Sequence, residues 1–307
     1  MRLLEAFEPI WILTAVGYAT TRWGLLGERA AAVLGRFVFH LAMPAALFLT
    51  LAATPLSRFS GPSLIAFGAS TVCVIGAGWF AAGRLFGHKP GGQAIWGMAA
   101  GYVNSANLGI PIAKQVLGNV SFLAEVVLLQ VLVVTPVILI ALDRHGDAAG
   151  RIRLRRIATL PVRNPVILAS MLGVVWSATG LGLPSAVASS LGLLSSAAVP
   201  AALVALGASL YSEKQPPLAA RTEISAITVL KLVAQPLIAW AIGLLLHLSP
   251  PALLAVVVCA GLPTAQNTFI FAQEYGVGEA LASRAVVVTT TLSLASLATI
   301  AALLGHS

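Results

Sequence analysis

Charge is what this sequence has least of. Only 9% of its 307 residues are Asp, Glu, Lys or Arg, against about 25% in an ordinary water-soluble domain. A chain so poor in charge cannot dress a folded surface for water, and a bilayer removes that need. Cysteine is scarcer still. Cys73 and Cys259 both fall inside apolar runs, which reads as two small buried apolar residues and excludes a disulfide framework. No set of His, Cys, Asp or Glu has metal-ligand spacing, and there is no glycine-rich phosphate loop or nucleotide-binding domain. The chain by itself is therefore no ATP-driven pump, and no metal or other cofactor is expected. No Ser/His/Asp set or aspartate pair lies at membrane depth, which argues against an intramembrane protease and against an enzyme. The net charge of +8 comes without aromatic interleaving or a nucleic-acid motif. It excludes nucleic acid as a partner and points to membrane orientation.

What the chain has in abundance is apolar runs, with 58% of residues hydrophobic. A spanning helix needs about 20 mostly apolar residues. The runs predict ten transmembrane helices, over 6–23, 32–53, 61–86, 92–117, 120–142, 164–182, 186–210, 223–247, 252–274 and 280–304. The first apolar stretch, Pro9 to Ala19, follows Glu5 and Glu8 with no cleavage site after it, so it is read as a span and not as a signal peptide. Placing the N-terminus outside puts Arg22, Arg29, Arg36, Arg84, Lys89, Arg144, Arg151, Arg153, Arg155, Arg156, Arg163, Lys214, Arg221 and Arg284 on the cytoplasmic side. Arg2, Arg58 and Lys114 fall outside, and Lys231 within a span. That bias fits the positive-inside rule. It predicts a multi-pass plasma (bacterial inner) membrane protein with both termini outside. The basic connection 143–163 is then cytoplasmic and sets topology beside anionic lipid.

The halves resemble each other. At an offset of 156, Pro9 meets Pro165, Gly17 meets Gly173, Gly24 meets Gly180, and Pro44-Ala45-Ala46-Leu47 meets Pro200-Ala201-Ala202-Leu203. At an offset of 160, Val103-Asn104-Ser105-Ala106-Asn107 meets Pro263-Thr264-Ala265-Gln266-Asn267, and Gly118 meets Gly278. An insertion of four residues between the blocks explains the change. Each half, 1–142 and 164–307, holds five spans. Five is odd, so the second half enters the membrane from the opposite side, an inverted repeat of the kind many secondary transporters use.

The fourth and ninth spans carry helix breakers and amides at mid-depth, at corresponding places: Gly101, Asn104, Ser105, Asn107, Gly109 and Pro111 in one, Gly261, Pro263, Thr264, Gln266 and Asn267 in the other. Backbone left unpaired in lipid costs several kcal/mol per group, so such breaks survive only where buried or lining a wet cavity. The freed N-terminal ends of half-helices carry partial positive charge suited to a carboxylate. Asn104, Ser105, Asn107, Pro263, Thr264, Gln266 and Asn267 are therefore the candidate substrate-binding residues. Any one of them read alone is equally a packing or interhelical hydrogen-bonding residue.

Five ionisable residues stand out. Lys231 lies near mid-depth, followed by Gln235 and Pro236. It is either a positive charge for an anionic substrate or for replacing a coupling ion, or a structural charge holding a half-helix C-terminus. Glu125, with Gln130 beyond it, is either a proton-coupling group or an interfacial, wetted carboxylate. Lys114 and Glu274, matched at offset 160, are expected to snorkel to the interfaces. His40 is read as a packed, hydrogen-bonded histidine in preference to a proton relay.

Three segments carry a family resemblance. Gly35 to Met43 with Pro44, Asn104 to Lys114 (NSANLGIPIAK) and Leu262 to Tyr275 (LPTAQNTFIFAQEY) resemble the second, fourth and ninth spans of the auxin efflux carrier family, which includes the plant PIN carriers. The resemblance covers nearly the whole chain. It implies an all-α, PIN-like fold related to the bile-acid symporter and sodium/proton antiporter folds. Spans 1, 2, 6 and 7 would form a scaffold that makes a homodimer, and spans 3–5 and 8–10 a moving transport domain with helices 4 and 9 broken and crossed. Asn104 would be the substrate-contacting asparagine and Pro263 the crossover proline. Lys231 falls where many members have arginine. Val103 stands where PIN carriers have proline, and the long PIN cytoplasmic loop is absent, which points away from auxin; the resemblance to bacterial-type members of the family implies instead small dicarboxylates such as malonate or malate.

The resulting expectation is a secondary transporter that moves a small organic anion by alternating access, with membrane lipid as its other partner. The alternatives are a sodium-coupled symporter of the bile-acid type, with the amide oxygens of Asn104, Asn107, Gln266 and Asn267 offered to sodium, and a non-transporting membrane sensor.

Overall fold

The computed structural model describes residues 2–27, 29–53, 61–118, 120–143, 164–212 and 218–304. The basic connection from Arg144 to Arg163, together with Glu28, Arg58, Asn119 and Lys214, lies outside the described residues. Those that are described form helices and turns, with one isolated β-bridge between Val103 and Thr264. Each of the ten apolar runs carries helix. Six helices are long and apolar enough to cross a membrane: α2 (Ala30–Ala52), α3 (Gly61–Arg84), α6 (Ser121–Asp143), α8 (Ser185–Tyr211), α9 (Arg221–Leu245) and α12 (Glu279–Leu304). Others are α1 (Arg2–Arg22) and α7 (Pro165–Thr179). The fourth run is split into α4 (Pro90–Gly101) and α5 (Ile110–Val116), and the ninth into α10 (Pro250–Ala260) and α11 (Asn267–Glu274).

Proline sets much of this local structure. It opens α4, α7 and α10, where its missing N–H costs nothing. The Asn164 side chain caps α7, accepting from Val166 N at 2.9 Å and Ile167 N at 3.3 Å. Inside the long helices proline does something else. Among the described residues, π turns interrupt three of them, at Val38–Ala42, Gln130–Val134 and Leu230–Ala234, and a fourth, Ser105–Gly109, leads from the break into α5. Each is followed two residues on by a proline: Pro44, Pro111, Pro136 and Pro236. A proline ring clashes with the carbonyl four residues back and offers no N–H, and one wide turn relieves both faults without breaking the rod. Pro200, inside α8, has no such turn.

Two packing groups result. In the first, α1 lies along α8, and α7 along the second half of α2. A Cβ added at Gly17 would stand 2.2 Å from the Val204 carbonyl oxygen, and one at Gly207 would stand 2.0 Å from that of Thr14. Gly173 meets the Phe48 carbonyl of α2 at 2.8 Å in the same way. Only glycine lets these backbones touch. The second group packs α3, α4, α9, α10 and α12 around the two breaks. Where turns reverse the chain, Gly24 and Gly180 take φ of +69° and +68°, and Gly118 and Gly278 take +72° and +65°, a left-handed conformation that glycine adopts without strain.

Some side chains lie elsewhere than the sequence suggests. Cys259 is buried but Cys73 is exposed, on the outer face of α3. An apolar run is no guide to burial where the outside is itself apolar. His40 is hydrogen-bonded as expected and its ring meets Phe39 edge-on, but it is 48% exposed, with Nδ1 3.2 Å from the Arg36 carbonyl and Nε2 3.6 Å from Glu274 Oε1. Glu274 thus pairs across to α2 and does not simply snorkel, while Lys114 is exposed as expected.

Candidate functional site

The two breaks lie against each other. Asn104 N donates to the Pro263 carbonyl at 2.8 Å, and Ala265 N to the Tyr102 carbonyl at 3.1 Å. Two short extended segments therefore cross as a single antiparallel bridge, where each satisfies backbone groups that a continuous helix would have used internally.

The carbonyls orphaned at the end of α4 can be followed one by one. Ala99 O accepts the Thr264 hydroxyl at 2.6 Å, and Gly101 O accepts Gln235 Nε2 at 3.1 Å. Val103 O accepts Gln130 Nε2 at 3.0 Å. At the end of α10, Ala260 O accepts Lys231 Nζ at 3.0 Å. Lys231 is fully buried and also donates to Gln235 Oε1, and the same Gln235 amide donates to Thr71 Oγ1 at 3.2 Å. One lysine and one glutamine thus join the C-terminal ends of both half-helices. The Thr264 N–H is held by Thr289 Oγ1 at 3.1 Å.

The opposite ends differ. Asn104 is 3% exposed, and Asn107 and Asn267 are half-buried. None of these three amides makes a side-chain hydrogen bond among the described residues. They stand where the Ser105–Gly109 turn leading to α5, and α11 itself, present their N-terminal ends. Ser105 is committed elsewhere, donating to Gln130 Oε1 at 2.5 Å. Gln130 uses both ends of its amide to hold the crossing and is a strut. Gln266 Oε1 is buried and, like the hydroxyls of Thr268 and Thr290, has no hydrogen-bond partner among the described residues.

Of the seven crossing residues predicted from the sequence, Asn104 and Pro263 bond directly across the breaks, Thr264 reaches α4 through Ala99 O and Ser105 reaches Gln130, while Asn107, Gln266 and Asn267 lie on the segments that flank the same two breaks. Lys231 joins them from the side of the C-terminal ends. Glu125 is buried, at 9% exposure. It lies on the first part of α6, which packs against the Ser105–Gly109 turn. Gln235, Thr71 and Thr289 carry much of the hydrogen bonding and were not singled out. Gln235 had a signal, one helical turn from an intramembrane lysine, but the other two sit in apolar helices like many other threonines.

The sequence matches the family model described as "Membrane transport protein" over residues 3–301. The chain belongs to this family. It is 28% identical to the "Putative malonate transporter" of Rhizobium meliloti over 94% of this chain and 91% of that protein. It is 29% identical to an "Uncharacterized transporter" of Methanothermobacter thermautotrophicus over 95% of each. An Oryza sativa protein, "Auxin efflux carrier component 3a", is 30% identical over 43% of this chain and 22% of its own length. Family membership and the six long apolar helices make the chain a multi-pass membrane transporter and not an enzyme.

Proposed function

We propose that this transporter carries a small carboxylate, with malonate as the first candidate, and holds it at the crossing of the two broken helices. The observation that supports this reading is how the crossing divides its charge. The negative ends of the half-helices are closed by Thr264, Gln235 and Lys231, whereas the positive ends carry the free amides of Asn104, Asn107 and Asn267. Unspent N–H donors at positive helix ends suit a carboxylate. The name of the Rhizobium relative supports malonate.

The architecture behind it is ten spans in two inverted halves. Support comes from the reciprocal packing of glycines. Gly17 meets Val204, and Gly173 meets Phe48; an offset of 156 residues converts the first pair into the second. The matched turn glycines share their left-handed backbone. On this reading α1, α2, α7 and α8 form a scaffold and dimer surface, and the remaining helices form the moving domain. The termini face outward and 143–163 faces the cytoplasm. Glu125, beside the turn that Ser105 opens, would admit the anion together with a proton. A sodium-coupled version draws on the unpaired Gln266 Oε1, and transport indifferent to sodium removes it.

The test is uptake of labelled malonate into proteoliposomes holding the purified protein, with Asn104→Ala alongside. Saturable uptake abolished by the substitution supports the reading. Absence of uptake or counterflow for every small carboxylate under an imposed gradient overturns it.

A further inference from the structure

We propose that Lys231 is the built-in cation of the crossing, a positioning residue whose ammonium holds the ends of α4 and α10 together so that no dissolved ion is needed there. Each helix C-terminus carries about half a negative charge. α4 and α10 end beside each other, so the junction carries roughly one negative charge in all. One ammonium matches it. Lys231 reaches the α10 end directly through Ala260 O and the α4 end through Gln235, whose Nε2 meets Gly101 O. The orientation of Gln235 follows from this. An ammonium only donates, so the amide oxygen must face it, and the NH2 is left for Gly101 and Thr71. Lys231 lies within one π turn, Leu230–Ala234, and Gln235 directly follows that turn, with Pro236 just beyond, so the two side chains reach the same junction.

This inference rests on the carrier reading only for its transport arm. The other arms measure stability and need no substrate, so the two readings fail separately. Lys231→Ala removes a propylammonium-sized fragment and leaves the rest of the junction in place. The variant in detergent is expected to lose heat resistance, with its inactivation half-life shortened at least about tenfold, as for a buried charge network broken on one side. Added n-propylammonium should lengthen that half-life severalfold by binding the folded state and leave the wild type unchanged. Lys231→Met keeps the bulk without the charge. It should be destabilised and gain nothing from the amine, while Lys231→Arg should retain more stability than Met. Wild-type protein should unfold at the same temperature in sodium chloride and in choline chloride of equal ionic strength, and its malonate uptake should be equal in both. Met as stable as Lys would show that only the stem matters and overturn the proposal, as would an Ala variant that folds but is deaf to the amine. So would sodium raising the wild-type midpoint, a measurement that does not depend on any variant folding.

Discussion

The Thr264 hydroxyl ties one broken helix to the other, and its removal is the cleanest test of how the crossing is held. Thr264 Oγ1 donates to Ala99 O at 2.6 Å, and both residues are fully buried. Thr264→Val keeps the shape and deletes the donor. Ala99 O then loses the cross-link in a place water does not reach, which costs about 1–3 kcal/mol. Thr264→Ser keeps the donor and loses a methyl, which costs under about 1 kcal/mol of apolar burial. The expected order of stability is therefore wild type, Ser, Val, the reverse of what volume alone predicts. Unfolding in detergent, followed by exposure of Cys259, which is buried in α10, reads this order, since a thiol reagent reaches that cysteine only when the helix opens. The exposed Cys73 is first replaced by Ala. A valine variant at least as stable as the serine variant would refute the account of the crossing as a set of carbonyls each needing its own donor.

Other substitutions separate holding from binding. Asn104→Ala should leave heat resistance within about 0.5 kcal/mol of wild type, because the amide has no partner to lose, while malonate protection against unfolding disappears; a large loss of stability would show that Asn104 is structural. Gly207→Ala should destabilise by about 1–3 kcal/mol, since a Cβ there stands 2.0 Å from the Thr14 backbone oxygen; unchanged thermal unfolding would show that α1 and α8 slide freely. His40→Gln should change stability by under about 1 kcal/mol, as for any half-exposed pair, and a larger loss in the same unfolding assay would make the Glu274 contact a structural lock.

The helices were legible in the sequence because a span in lipid needs only length and apolarity, and the breaks were legible because Gly, Pro and amides have no bland reason to gather twice at mid-span. Asn104 and Thr264 were found that way. The work that each does was not legible. Thr264 and Asn104 occupy equivalent positions, yet one hydroxyl is spent on Ala99 and the other residue's amide is free. That division depends on how two backbones cross, which no spacing encodes. The π turns went unread, although Pro44, Pro111, Pro136 and Pro236 stood in the chain as their signal. Cys73, expected to be buried, is exposed, and Glu125, left open between a proton-coupling and an interfacial reading, is buried. In a bilayer, polarity and burial are decoupled, and only the packing of α3 and α6 decides which face is inside.

The same geometry makes a prediction about substrate shape. The extended segments that lead into the two positive helix ends cross, with Asn104 N bonded to Pro263 O at 2.8 Å, so on the proposed reading both ends face the substrate. A monocarboxylate satisfies one end. A dicarboxylate with its acid groups one carbon apart can meet both, and each end contributes about 0.3–1 kcal/mol, up to roughly 2 where partly buried. Malonate should therefore bind more tightly than malonamate, which has the same skeleton with one charge removed, by about two- to thirtyfold. Glutarate should lose part of that advantage, because its acid groups are spaced too widely for adjacent ends. Competition against labelled malonate in proteoliposomes measures all three. Equal inhibition by malonate and malonamate would mean that only one helix end faces the substrate, and the other free amides would then need a different role. If instead malonate gains its advantage only at low pH, the second carboxylate is being carried protonated, and Glu125→Gln should shift that dependence if Glu125 is where the proton rides.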